Sequence, residues 1–175
     1  RRALDGGLAL LQYRAKPPKL DDAARLIEIA KGYGVPVIVN DDVRLAVECG
    51  AGGVHLGRDD GAIAAARAAM PGRLIGASCY DDLSLARSAV AAGASYVAFG
   101  SVFASPTKPH AVRAPLSLFA EARSLGVPLC AIGGITFESA PQLVAAGADL
   151  LAVITDLFDA PDVTARARQY ARLFE

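Results

Sequence analysis

Histidine and cysteine are scarce in this chain, and their scarcity removes several kinds of chemistry at the outset. Only two histidines, His55 and His110, occur among 175 residues, too few for a structural zinc site or a metzincin-type motif. The three cysteines, Cys49, Cys79 and Cys130, are odd in number and far apart. They form neither a C-x-x-C pair nor a zinc ligand pattern, so a reducing, cytoplasmic setting is expected. No apolar run reaches the roughly 18 residues that a membrane helix needs. Net charge is missing too: 18 Lys and Arg balance 18 Asp and Glu, so no global field would draw in nucleic acid or a membrane surface. Charge chemistry must come from local clusters. The chain opens Arg1-Arg2-Ala3 with no initiator Met and no signal-like apolar stretch, from which a missing native start is expected.

What is present is apolar and periodic. With 53% hydrophobic residues, residues 1–175 suit one domain with a sizeable core. Short β-rich runs recur at Leu8–Tyr13, Pro36–Val39, Gly53–Leu56, Leu74–Ala77, Tyr96–Phe99, Pro128–Ile132 and Leu150–Ile154. Between them lie stretches with helical spacing, such as Ala23–Gly32, Ala62–Met70, Leu83–Ala92, Leu116–Leu125 and Val163–Leu173. Near-continuous apolar strands such as LCAI and LLAVI read as buried on both faces, as parallel sheets covered by helices require. The repeated Cys49-Gly50-Ala51, Ala92-Gly93-Ala94 and Ala146-Gly147-Ala148 put glycine where a left-handed helix C-cap needs it. An α/β (β/α)8 TIM barrel is predicted. Seven strand-plus-helix units are visible where a closed barrel needs eight, so the first strand is expected upstream of Arg1. A doubly wound open sheet is the alternative, but no G-x-G-x-x-G follows the first strand.

In a barrel the chemistry sits on loops after the strands. Strand alternation puts Gln12, Arg14 and Lys16 of Gln12-Tyr13-Arg14-Ala15-Lys16 on one side, an amide and two cations suited to a diphosphate. They could equally be solvated residues at a strand end. Asp41 in Asn40-Asp41-Asp42 and Asp60 in His55-Leu56-Gly57-Arg58-Asp59-Asp60 end adjacent strands and could share one magnesium ion. Asp42 and Asp59 are expected to cap helices or stay solvated, and His55 to be a hydrogen-bonded structural histidine. Ser78 could donate to a phosphate or cap the next helix. Cys79 lies beside the proposed site with no base histidine evident, which disfavours it as a nucleophile. The long loop from Gly100 to Pro109 carries Ser105, Thr107 and Lys108 between prolines, a stiff set of anion donors, with His110 beyond it at the surface. Gly133-Gly134 and Ile154-Thr155 end the last two strands, where barrels commonly hold a phosphate. A plain tight turn would also explain the two glycines.

Taken in order, QYRAK, VNDD, HLGRDD, GAS, the SPTK loop, AIGGI and AVIT resemble the thiamine-phosphate synthase family over nearly the whole chain. The resemblance implies that Gln12, Arg14, Lys16, Asn40, Ser78 and Lys108 hold a pyrimidine diphosphate, with Arg14, Lys16 and Lys108 catalytic. It implies that Asp41 and Asp60 bind Mg2+, and that Ser105, Thr107, Gly134, Ile154 and Thr155 cradle a thiazole phosphate. The implied partners are small phosphorylated substrates, without nucleic acid or membrane; a homo-oligomer stays open. Ser105 and Thr155 exchange one hydroxyl residue for another relative to common family forms, Arg58 stands where Gln is common, and the stretch between Lys16 and Asn40 is a few residues short. The rivals are a thiazole tautomerase paralogue, which carries a histidine where this chain has Ser101, and a non-catalytic phosphate-ligand sensor on the same barrel.

Overall fold

The computed structural model describes residues 1–104 and 113–175. Within them seven strands form one sheet: β1 (Leu11–Tyr13), β2 (Val37–Asn40), β3 (Gly53–Leu56), β4 (Leu74–Tyr80), β5 (Tyr96–Phe99), β6 (Leu129–Ile132) and β7 (Leu150–Ala152). They pair in sequence order, and every pair is parallel. Among the described residues eight α-helices connect or follow them: α1 (Leu20–Lys31), α2 (Val43–Glu48), α3 (Ile63–Ala69), α4 (Leu83–Ala91), α5 (Ser117–Ala122), α6 (Ala140–Ala146), α7 (Thr155–Phe158) and α8 (Val163–Ala171). The α/β class and the seven units follow the periodicity of the sequence. The sheet is a curled, seven-stranded half-barrel, with β1 and β7 at its edges among the described residues.

Local chemistry accounts for the boundaries. Asp42, Asp82 and Asp162 each precede a helix and accept a hydrogen bond from the backbone N–H three residues on, at 2.8, 3.0 and 2.9 Å, which satisfies an otherwise orphaned donor. Asp42 thus takes the capping role expected of it. Helix α1 lacks a side-chain cap, but Asp21 and Asp22 in its first turn and Lys31 in its last complement the helix dipole. At the other ends, Gly50, Gly93 and Gly147 have φ of 71°, 101° and 111°, the left-handed conformation that lets each chain turn into the next strand.

Two edges differ from the sequence reading. Strand β4 runs through Ser78 to Tyr80, with an irregularity in its pairing to β5 between those residues, so Ser78 lies within the strand. Strand β7 stops at Ala152, because Ile154 already belongs to the turn that starts α7.

Side chains alternate between two layers. Val97, Phe99, Leu129 and Ala131 point to the helices and pack with Phe119 and Leu143; Phe99 meets Phe119 edge-on with centroids 5.7 Å apart. Tyr96, Ala98 and Cys130 fill the concave face with Ile132, Leu150 and Ala152. The segment before β1 is tied down as well. Its turn at Leu4–Gly6 packs on α8 where a side chain at Gly6 would collide with Ala167, and the Thr164 hydroxyl donates to the Arg2 carbonyl at 2.8 Å. No helix among the described residues is long and apolar enough to cross a membrane.

Candidate active site at the strand ends

Strand register builds the floor of the site. Asn40, His55, Gly76 and Tyr96 are consecutive partners across β2 to β5 and so share the concave face. A Cβ at Gly76 would collide with the Tyr96 ring and His55 Nδ1; its absence lets those side chains meet above it. His55 Nδ1 and the Tyr96 hydroxyl are 2.9 Å apart, and His55 Nε2 and Ser78 Oγ are also 2.9 Å apart. A neutral imidazole, donating through one nitrogen and accepting through the other, satisfies both contacts. Burial lowers the His55 pKa from 6.5 to about 4, with Asp60 opposing and Arg14 assisting, so it is neutral at physiological pH. The expectation of a hydrogen-bonded structural histidine holds. The same burial pushes Tyr96 well above its ordinary range and Cys79 up to about 12. Cys79 is therefore a thiol, not a thiolate nucleophile.

Above this floor, Arg14, Lys16, Asn40, Asp41 and Asp60 line a pocket of about 410 Å3 together with Asp42 and Val43. Three strand ends deliver them. Arg14 and Lys16 sit on the loop after β1, whose base is tied by Tyr13: its hydroxyl accepts from the Lys19 N–H at 3.0 Å and donates to the Lys19 carbonyl at 3.3 Å. Asp41 has φ of 66°, a left-handed conformation that aspartate tolerates better than most residues, and its N–H donates to the His55 carbonyl at 2.8 Å. Asp60 folds back so that Oδ2 accepts from the Gly57 N–H at 2.7 Å.

The two carboxylates interact. Asp41 is raised above the usual carboxylate range by burial, by a hydrogen bond with Asp60 and by the Asp60 charge, while Arg14 and Lys16 pull it down. An acid disfavoured as a carboxylate by burial and by a neighbouring acid, beside two cations, marks a site with an unmet demand for positive charge. Among the described residues no cluster of three or more metal-ligating side chains occurs, so this pair would leave most positions of a hard cation to substrate oxygens and water.

The remaining sequence-predicted residues fall elsewhere. Gln12 is exposed on β1, and Ser78 is half-buried beneath the pocket, reached through His55. Gly133 and Gly134 have φ of 104° and 65°, and a side chain on Gly134 would collide with the Phe103-Ala104 backbone. The glycines thus seat the β6–α6 loop against the segment that leads to Ser105. Ile154 and Thr155 are exposed at the start of α7. Ser105, Thr107, Lys108 and His110 lie outside the described residues. Arg58 packs over the Tyr80 ring, 4.8 Å from its centroid, an aromatic shelf beside Asp60. Tyr13, Tyr80 and Tyr96 were missed from sequence because only strand register and loop closure reveal what their hydroxyls and rings touch.

A family model described as "Thiamine monophosphate synthase" matches residues 1–157. The chain belongs to this family. Similar proteins include thiamine-phosphate synthases of Chromobacterium violaceum, 57% identical and covering 98% of this chain and 86% of that protein, and of Aromatoleum aromaticum, 54% identical over 99% and 86%. Among solved structures, a thiamine phosphate pyrophosphorylase from Pyrococcus furiosus superposes with a TM-score of 0.86 at 31% identity, covering 99% of this chain and 86% of that one. A 3-hexulose-6-phosphate synthase, at TM-score 0.73 and 18% identity, shares the fold alone.

Proposed function

We propose that the chain condenses 4-amino-2-methyl-5-hydroxymethylpyrimidine diphosphate with thiazole phosphate, releasing diphosphate and thiamine phosphate. The observation that carries this reading is the pocket in which Arg14, Lys16 and Asn40 surround the Asp41–Asp60 pair, within a chain of this family.

Arg14, Lys16 and Asn40, together with Gln12, Ser78 and Lys108, bind the pyrimidine diphosphate. Asp41 and Asp60 would hold Mg2+, which supplies positive charge to the leaving diphosphate. The bond between the pyrimidine methylene carbon and the diphosphate oxygen breaks first, and its electron pair leaves with diphosphate. Arg14, Lys16 and Lys108 stabilise that growing negative charge electrostatically. The resulting pyrimidinylmethyl cation is captured by the lone pair of the thiazole nitrogen, forming the new C–N bond. No strong base is demanded, in keeping with a neutral, buried His55. Gly134, Ile154 and Thr155, with Ser105 and Thr107, bind the thiazole phosphate.

The working architecture is a single (β/α)8 barrel domain in which an eighth strand pairs the open edges of β1 and β7. The free thiols of Cys49, Cys79 and Cys130 support a reducing, cytoplasmic setting.

The test mixes protein, pyrimidine diphosphate and thiazole phosphate with and without Mg2+ and detects thiamine phosphate by fluorescence after oxidation. Magnesium-dependent product is expected. Ligand binding without product would replace this reading with a sensor or a tautomerase; at Ser101, the tautomerase's histidine position, the hydroxyl donates to the Phe103 carbonyl at 2.6 Å.

A further inference from the structure

We propose that Asp156, Arg166 and Tyr170 are positioning residues that lock the β7–α7 turn and the β6–α6 loop into the arrangement that receives the thiazole phosphate. This rests on the reading that Gly134, Ile154 and Thr155 form that cradle. None of the three residues belongs to the pocket at Asp41 and Asp60.

Their contacts run from one loop to the other through α8. Asp156 immediately follows Thr155, and its Oδ2 accepts hydrogen bonds from Arg166 Nη1 at 2.9 Å and from the Tyr170 hydroxyl at 2.7 Å. Arg166 also lies over the ring of Phe137, 5.7 Å from its centroid, and Tyr170 meets the same ring edge-on at 5.7 Å. Phe137 sits three residues beyond Gly134 on the β6–α6 loop. Two residues four apart on one face of α8 therefore clasp a carboxylate from the first turn of α7 and an aromatic ring from the β6–α6 loop. Leu157 is buried beside Val163 and Ala167, so α7 is pinned by an apolar and a polar anchor while Ile154 and Thr155 face outward.

The network also handles a charge problem. A carboxylate one residue past Thr155 would repel an arriving phosphate if left free. The Asp156–Arg166 pair is only 18% and 25% exposed at its side chains, so its attraction is less screened than that of a surface pair. Arg166 and Tyr170 hold the acid toward α8 and offset its charge. Arg166→Gln should consequently harm phosphate binding more than Tyr170→Phe, and adding Asp156→Asn to Arg166→Gln should recover part of the loss.

The experiment titrates the intact chain calorimetrically with thiazole phosphate and, separately, with the pyrimidine diphosphate plus Mg2+. Expected for Tyr170→Phe and Arg166→Gln is a loss of about five- to twentyfold in thiazole phosphate affinity, with pyrimidine diphosphate affinity changed less than about twofold. A purely structural network would weaken both ligands alike or neither, and either result overturns the proposal. So would a double variant that binds thiazole phosphate more weakly than Arg166→Gln. Tyr170→Phe keeps the ring against Phe137 and decides the matter if Arg166→Gln does not fold. A wild-type chain that binds thiazole phosphate yet makes no thiamine phosphate defeats the proposed function while these affinities still judge the clasp; one that does not bind it overturns both.

Discussion

The two ends of the sheet treat charged groups in opposite ways. At the N-terminal ends of the strands, Arg67 donates to the carbonyls of Gly93, Met70 and Arg73 and to Ser95 Oγ, at 2.7 to 3.2 Å. Arg73 donates to the Ala51 carbonyl at 2.9 Å, and Asp149 accepts from the Leu129 N–H at 2.9 Å. At the C-terminal ends, Arg14 and Lys16 enter no ion pair among the described residues, and Asp41 stands in a left-handed conformation beside another acid. Satisfied polar groups at one end stabilise a frame that can hold unsatisfied ones at the other, where a substrate would complete them.

The sharpest test of that contrast separates activity from stability. Asp41→Asn should cut the rate of thiamine phosphate formation by about two to three orders of magnitude, the size of effect seen when a principal electrostatic group is removed. It should not destabilise the free protein. An acid whose pKa is raised by folding favours the folded state only at low pH, and that benefit is lost as pH rises through the folded value; at neutral pH Asp41 is a cost that Asn relieves. Thermal melts should show a Tm at or above wild type without Mg2+. They should also show a rise on adding Mg2+ in wild type that Asp41→Asn lacks. A variant that melts well below wild type would mean that both ends are built for stability.

Arg67→Ala is the converse. Removing the guanidinium strands several partly buried carbonyls and should cost about 3–4 kcal/mol, read by urea unfolding. Turnover measured well below the melting range should stay within about twofold of wild type. A large loss of kcat would break the comparison by joining the two ends.

Much of the frame could be read before the structure. Seven apolar runs became seven strands, and the glycines at 50, 93 and 147 are left-handed, because a βα repeat prints its period and its caps directly in the chain. Asp41, Asp60, Arg14 and Lys16 were marked from their places after strands, and they do meet in one pocket. What stayed hidden depends on contacts between distant residues. Nothing local says that Gly76 is bare so that Tyr96 can reach His55, since the partners lie 41 residues apart. The extension of β4 past Ser78 was invisible for a related reason: its last pairing depends on a shift in register against β5. The clasp of Asp156 by Arg166 and Tyr170 needed α8 to be placed against α7.

His55 allows a test by pH. Its folded pKa is about 4, below the ordinary 6.5, so between these values the unfolded chain takes up a proton that the folded chain refuses. Stability is then fully present above about 6.5 and falls as pH drops toward 4, by no more than about 3 kcal/mol from this group. Urea titrations at several pH values should show a shallower fall in His55→Gln. An equal slope in the two proteins would remove His55 from the account of the site's floor. Asp41 acts in the opposite sense in acid, so His55→Gln is best compared with wild type in an Asp41→Asn background as well.

The smallest expected effect concerns the base of the loop that carries Arg14 and Lys16. Tyr13→Phe deletes one hydroxyl that both accepts from and donates to the Lys19 backbone, contacts together worth about 1 kcal/mol. The ring keeps its packing against the buried clusters that contain Val39 and Val37, so Tm should move by less than about 3 °C. The KM for the pyrimidine diphosphate should rise about three- to fivefold while the KM for thiazole phosphate stays put, because in the proposed assignment only the loop that would face the diphosphate is loosened. Tyr170→Phe should show the reverse selectivity, since its hydroxyl holds the turn at the opposite edge of the sheet. Two single-oxygen deletions with mirrored effects on the two substrates would show that the open end is divided into a diphosphate half and a phosphate half, each braced by its own tyrosine. Identical effects would mean that the strand ends move as one body and that the division drawn from β1 to β7 has no energetic counterpart.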